Sequence, residues 1–270
     1  MSEQVLSRRL LEITTVKTCS VDCHPFCPQR KFREAYGSGP NLLSFGDFQT
    51  ALSNVPKDVP INFAGFSEPF LNRKGLDMLE YAHNQGYSVH LFSTLVGLRP
   101  DDIDRLKAVK LDWFSLHLPD PNGIAQIART PNFEKTLTRV MFEMQIDDYS
   151  RMDDKFVSNE RAGNCDNAPR RHVTGPFYCS KLVKPQFVML PNCDVVLCCM
   201  DWRLKHRLGN LKTQTFDEIA NSEEFTKIAQ NRWRADGDTL CRSCKWALPI
   251  GRHAVRKVRA AIGPILRGLS

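Results

Sequence analysis

Three cysteines, Cys19, Cys23 and Cys27, stand within nine residues, just after the apolar run 10–16. Three soft thiolates at the exit of a strand can hold three irons of a cubane 4Fe–4S cluster and leave the fourth iron open. An electron-transfer ferredoxin would supply a fourth cysteine close by, whereas the next one here is Cys165. An open iron suits an enzyme in which a small molecule chelates the cluster. On this loop alone, a zinc knuckle and three unrelated thiols remain alternatives. Structural zinc prefers four N or S ligands, and His24, adjacent to Cys23, is poorly set to chelate the same ion.

A second set lies in the C-terminal third: Cys179, Cys193, Cys198, Cys199, Cys241 and Cys244. They surround the apolar stretches 187–190 and 195–197, which are separated by Pro191-Asn192, a hairpin signature. Four thiolates drawn from a pre-hairpin loop, a strand end and a Cys-x-x-Cys turn make a complete ligand set. Zinc and a 4Fe–4S cluster accept the same four, so the count does not choose between them.

The rest of the chain must position these groups. The run 10–16 reads as a strand, 44–55 as a helix with Ser44 as N-cap, and 60–64 as a strand. A helix over 76–83 ends at Gly86, a strand follows over 87–92, and a helix over 100–109 carries Asp101 and Asp102 in its first turn. A strand over 111–118, a helix over 132–144 and an extended piece over 155–158 complete the alternation. Repeated strand–helix units of this length imply parallel strands with right-handed crossovers, an α/β fold. From Asp147 to Tyr178 the composition is polar and reads as a crossover or linker. Residues 216–228 read as one amphipathic helix.

With 270 residues and 42% hydrophobic content, the chain can build a sizeable core. It has no signal-peptide pattern and no 18-residue apolar stretch. Ten cysteines without a secretion signal argue for reduced thiols and metal, with the cytoplasm as the expected compartment. Part of the formal +7 charge is local: Arg252, Arg256, Lys257, Arg259 and Arg267 follow the last acid, Asp238. That basic tail reads as a solvated terminal helix ahead of a membrane, carrier or nucleic-acid contact. A metal-stabilised nucleic-acid-binding module is the reading from outside enzymology.

The first loop, ending Phe26-Cys27-Pro28, resembles the cluster loop of radical S-adenosylmethionine enzymes. Its second gap is one residue longer than the common spacing. The resemblance implies a partial (β/α)6 barrel with chemistry at the C-terminal strand ends. It implies that Phe26 and the segment Gly65-Phe66-Ser67-Glu68-Pro69 contact S-adenosyl-L-methionine, with Glu68 on the methionyl ammonium. Ser67 stands where the family has glycine. Ser93 and Thr94 end the third strand where the family faces the ribose. Ser115 and His117 share one face of the fourth strand, as cofactor or substrate contacts or, for His117, as a core histidine. Arg129 resembles the family's arginine before the next helix. Arg161, in Arg-Ala-Gly, resembles a substrate-binding arginine at the sixth strand's end.

Cys179, the hairpin, Cys198-Cys199-Met200-Asp201, Gly209-Asn210-Leu211 and Cys241-Arg242-Ser243-Cys244 resemble the SPASM/twitch appendage. Its twitch form holds one auxiliary 4Fe–4S cluster; by motif register Cys179, Cys198, Cys241 and Cys244 are the ligands and Cys199 is spare. Cys193 stands where that hairpin usually has glycine. The implied organisation is a radical S-adenosylmethionine barrel over 1–165, the auxiliary domain over 166–250 and the basic tail over 251–270. Two 4Fe–4S clusters and S-adenosyl-L-methionine are the implied cofactors, with a flavodoxin- or ferredoxin-type electron donor. The functional resemblance is to 2-deoxy-scyllo-inosamine dehydrogenase and related aminoglycoside- and sugar-modifying enzymes. It implies oxidation of a secondary alcohol on a carbohydrate-like small molecule. The alternatives are epimerisation, with Cys165 (or Cys193 or Cys199) returning hydrogen, and peptide modification, for which no leader-peptide domain precedes Leu10.

Overall fold

The computed structural model describes residues 8–21, 23, 27–118, 130–151, 161–165, 171–235, 237 and 239–252. Its sheet is built outward from β1 (Leu10–Ile13), a short strand buried along its whole length. On one side follow, in order and all parallel, β2 (Ile61–Phe63), β3 (Val89–Ser93), β4 (Trp113–Leu118) and β5 (Asp148–Arg151). Between β1 and β2 run helices α1 (Gln29–Tyr36) and α2 (Phe45–Ser53). α3 (Gly75–Asn84), α4 (Ile103–Ala108) and α5 (Pro131–Glu143) connect the later pairs. Ser44 caps α2 by accepting from the Asp47 amide at 3.0 Å, and Thr130 caps α5 by accepting from Phe133 at 3.2 Å.

Beyond β5, β6 (Phe177–Tyr178) pairs with the late strand β10 (Leu248–Pro249) in a separate antiparallel ribbon. The short helix α6 (Ser180–Val183) then leads into β7 (Gln186–Met189). β7 adds to the free edge of β1 in parallel, Glu12 facing Val188 in register. β8 (Asp194–Val196) and β9 (Arg207–Asn210) extend the sheet antiparallel, giving eight strands in all. The C-terminal region is therefore joined to the N-terminal half by a hydrogen-bonded ladder, and the sheet is open as a partial barrel requires. Phe48, Phe63, Phe114, Phe187 and Phe216 are fully buried across both halves. Each contributes roughly 1.5–3 kcal/mol through the water its side chain releases.

Several expectations change. The stretch expected to be a linker holds β5, an edge strand whose residues Asp148-Tyr149-Ser150-Arg151 lack an apolar run. Helix α1 was hidden because Gln29-Arg30-Lys31-Phe32-Arg33-Glu34-Ala35-Tyr36 is mostly polar and buries only Lys31, Phe32 and Tyr36. The single helix expected over 216–228 is two, α7 (Phe216–Ala220) and α8 (Glu223–Asn231). Ser222 breaks it, its hydroxyl accepting from the Phe225 amide at 3.3 Å to start α8. The extended piece over 155–158, Arg129 and most of the basic tail lie outside the described residues.

Candidate active site and a second thiol-lined cavity

Cys19, Cys23 and Cys27 line one cavity of about 410 Å³ at the mouth of the sheet. Phe26 lies outside the described residues. Burial pushes the Cys27 thiol up to about 12 and raises Cys19 as well. Such thiols stay protonated until a cation takes the proton's place, which suits a soft metal or cluster.

The segment after β2 forms the next wall. Gly65 has φ +63°, and a Cβ there would collide with Thr14. The Thr14 hydroxyl instead accepts from the Phe66 amide at 3.1 Å, turning the chain along the cavity. Glu68 is buried, and its carboxylate accepts from the Ser93 hydroxyl, the Thr94 hydroxyl and the Thr94 amide, each at 2.7 Å. Burial raises this carboxyl and the bonds from Ser93 and Thr94 oppose the rise. Ser93 and Thr94 thus spend their hydroxyl hydrogens on Glu68; Thr94 also lines the cavity, and Ser93 does not. The Ser67 hydroxyl and the Asn62 side-chain oxygen line the same space, buried and without a hydrogen-bond partner.

Ser115 and His117 of β4 close the far side, as does Asp148 of β5, which accepts from the Ser115 hydroxyl at 3.2 Å. Burial, followed by the charge of Arg161, pushes the His117 imidazole down to about 4, so it is neutral near pH 7. Arg161 also lines the cavity and lies over the Trp202 ring, 5.9 Å from its centre. Trp202 packs on Phe66 at 4.7 Å and on Phe32 of α1 at 6.4 Å, tying the arginine's platform to both loops. Cys165 is buried but not in the cavity wall; the C-terminal thiol in that wall is Cys199. Cys193, with φ +66° at the hairpin turn, faces away and donates to the Asp47 carbonyl.

Sequence reasoning missed Glu12 and Lys181, which are 7% and 4% exposed. Both line the cavity. Burial raises the Glu12 carboxyl, and the Lys181 charge, a bond from Cys199, the Arg161 charge and the Gly65 amide oppose this. Burial works against the Lys181 ammonium, but Cys199, Glu12, Cys198 and Cys179 together outweigh it and raise its pKa. A signal existed for Glu12, and for Asn62 of the same wall, which was missed too: each is a lone polar residue inside an apolar strand buried on both faces.

Cys179, Cys198, Cys241 and Cys244 line a second cavity. Its wall also includes Lys181, Met200 and Trp246, and these three line the main cavity too. Burial raises the thiols of Cys179, Cys198 and Cys241. Among the described residues, no three His, Cys, Asp or Glu side chains converge as a single metal ion would need. The four thiols line one narrow cavity instead, and a set of four thiolates is the donor chemistry of a 4Fe–4S cluster. Arg242, 1% exposed, sits between Cys241 and Cys244. It donates to the carbonyls of Val173, Gly175, Asn231, Arg234 and Gly237, holding three loops around the Cys-x-x-Cys turn.

Residues 179–245 match the SPASM family, an iron–sulfur cluster-binding domain. Among solved structures, BtrN in complex with AdoMet and 2-DOIA superposes with a TM-score of 0.65 at 16% identity, covering 89% of this chain and 92% of that one. BtrN in an open conformation gives 0.59 at 13% identity over 89% and 95%. The structure of anSMEcpe with bound AdoMet and the Cp18Cys peptide gives 0.53 at 13% identity over 88% and 86%. A search of curated proteins gives no match. The chain shares the fold of these structures and carries a SPASM domain.

Proposed function

From a radical S-adenosylmethionine fold joined to a SPASM domain, we propose an enzyme that oxidises a secondary alcohol of a sugar or aminocyclitol to a ketone. The observation that carries this reading is the common wall of Lys181, Met200 and Trp246 between the two thiol-lined cavities. When bound, two 4Fe–4S clusters and S-adenosyl-L-methionine would supply a 5′-deoxyadenosyl radical to take a hydrogen atom and a nearby acceptor for the electron left on carbon.

The chain's own groups have separable tasks in this reading. Cys19, Cys23 and Cys27 hold the first cluster, and Cys179, Cys198, Cys241 and Cys244 the second. Glu68, its carboxylate oriented by Ser93 and Thr94, accepts from the methionyl ammonium. Gly65 lets the backbone come close, and the Ser67 hydroxyl has an unused bond to offer. Neutral His117 and Ser115 face cofactor or substrate without adding charge. Arg161, braced on Trp202, orients the alcohol hydroxyl. BtrN holds 2-DOIA and anSMEcpe holds a peptide, so a carbohydrate-like and a peptide substrate are both represented on this fold. The higher TM-score of BtrN supports the carbohydrate-like one.

Among the described residues, no helix is long and apolar enough to cross a membrane. Ten cysteines read as reduced thiols and metal ligands suit the cytoplasm, with a flavodoxin- or ferredoxin-type protein delivering electrons. A second reading, epimerisation, is favoured by the position of Cys199, a thiol in the main cavity wall. One anaerobic reconstitution tests both: candidate sugars are supplied with S-adenosyl-L-methionine and reductant, and the product is weighed. Loss of two hydrogens supports oxidation; an isobaric product supports epimerisation. Failure to cleave S-adenosyl-L-methionine would reject both.

A further inference from the structure

Lys181 is the one described side chain that carries a charge into the walls of both cavities; its companions there, Met200 and Trp246, are neutral. It belongs to the short helix after Cys179, and its ammonium is buried, donating to the Gln186 side-chain oxygen at 2.6 Å. Gln186 is held in turn by donating to the Arg8 carbonyl at 3.2 Å, so the lysine is anchored on β7 at the β1 edge. The carboxylate that interacts with Lys181 is Glu12, across the β1–β7 ladder on the main-cavity side. Burying a lysine is costly, and packing alone would be met by a neutral side chain such as Met. Arg242 is the other buried cation close to these thiols, but it lines neither cavity and its hydrogen bonds go to five carbonyls.

We propose that Lys181 is a positioning residue whose fixed charge sets how readily the C-terminal cluster accepts an electron, with Glu12 as the opposing charge. This rests on the reading that Cys179, Cys198, Cys241 and Cys244 hold a 4Fe–4S cluster. A cluster with four thiolates gains negative charge on reduction, and a cation fixed beside it in a low-dielectric wall favours the reduced state. Glu12, on the far side of the lysine, pulls in the other direction. The pair therefore ties the potential of the second cavity to the charge balance of the first, where substrate binds.

The test uses the full chain with Cys19→Ala, Cys23→Ala and Cys27→Ala, so that only the C-terminal cluster reports. Iron is counted, and the midpoint potential is read by an EPR-monitored redox titration. Lys181→Gln should shift the midpoint negative by about 59 mV, a tenfold change in the oxidised-to-reduced ratio. Lys181→Arg should keep the parent value, and Glu12→Gln should shift it positive. A midpoint unmoved by both Lys181→Gln and Glu12→Gln overturns the inference, as does an equal shift in Lys181→Arg and Lys181→Gln, which would mark a packing effect. If Lys181→Gln does not load iron, the sign of the Glu12→Gln shift decides. A parent chain without its cluster would overturn the cluster reading itself, and this inference with it.

Discussion

Thr94 donates two hydrogen bonds to the carboxylate of Glu68, one from its amide and one from its hydroxyl, both at 2.7 Å. With the Ser93 hydroxyl, the end of β3 clamps the loop after β2, so Glu68 enters the cavity already oriented. Glu68→Gln removes the charge and sets an amide donor against donors from Ser93 or Thr94. S-adenosyl-L-methionine affinity should fall by about 1.5–3 kcal/mol, the contribution of a hydrogen bond to a charged group. Iron content should not change. An anaerobic titration showing undiminished affinity would remove Glu68 from the cofactor site.

Arg242 should matter to the second cavity alone. Arg242→Met takes the guanidinium from five carbonyls. Those of Asn231 and Gly237 keep an amide donor from Arg234 and Thr239, whereas those of Val173, Gly175 and Arg234 lose the donor they have here. A buried carbonyl left unsatisfied costs about 1–3 kcal/mol. The melting temperature should drop, and bound iron should fall from about eight per chain to about four as the Cys241–Cys244 turn loosens. Full iron loading in the variant would contradict this.

The parts of the site legible in the sequence are those whose chemistry is local. Cys19, Cys23 and Cys27 announce themselves by type and spacing, and Gly65–Glu68 by its place after a strand. Lys181 was not legible, because its role depends on β7 pairing with β1, a contact between residues about 175 positions apart. Trp246 was hidden similarly: an aromatic next to a cysteine motif is ordinary until two cavities are seen to meet at it. β5 escaped because an edge strand needs no apolar run, and Tyr149 there remains exposed. That β1 to β4 run parallel was readable, since alternating strand–helix units leave few topologies. The C-terminal addition to the free edge of β1 was not.

Stability should fall in mild acid through His117. Its folded pKa, about 4, lies below the ordinary histidine value of 6.5. Above about pH 6.5 both folded and unfolded chains carry it neutral, and it costs nothing. As pH falls from about 6.5 to about 4, the unfolded chain takes up a proton that the folded chain refuses. The loss should reach about 3 kcal/mol at the bottom of that window. Denaturant melts across this range should show the slope, and His117→Gln should flatten it. An equal slope in the variant would assign the acid sensitivity to other groups.

The positions of two cysteines separate oxidation from epimerisation. Cys199 lines the main cavity and bonds to Glu12, whereas Cys165 is buried outside the cavity wall. If the reaction is an oxidation, no thiol returns hydrogen to carbon. Cys199→Ala and Cys165→Ala should then both retain turnover, with a ketone product lighter than substrate by two hydrogens. If it is an epimerisation, Cys199→Ala should stop epimer formation while cleavage of S-adenosyl-L-methionine continues. Cys165→Ala should be the milder change, with the modest stability loss of a small buried substitution. Deuterated water adds an independent readout, because a thiol exchanges its proton quickly and would deliver solvent deuterium to carbon. The expected outcome is the ketone with both variants active. A product one mass unit heavier than substrate, carrying one carbon-bound deuterium and lost in Cys199→Ala, would falsify the oxidation reading and make Cys199 the hydrogen donor.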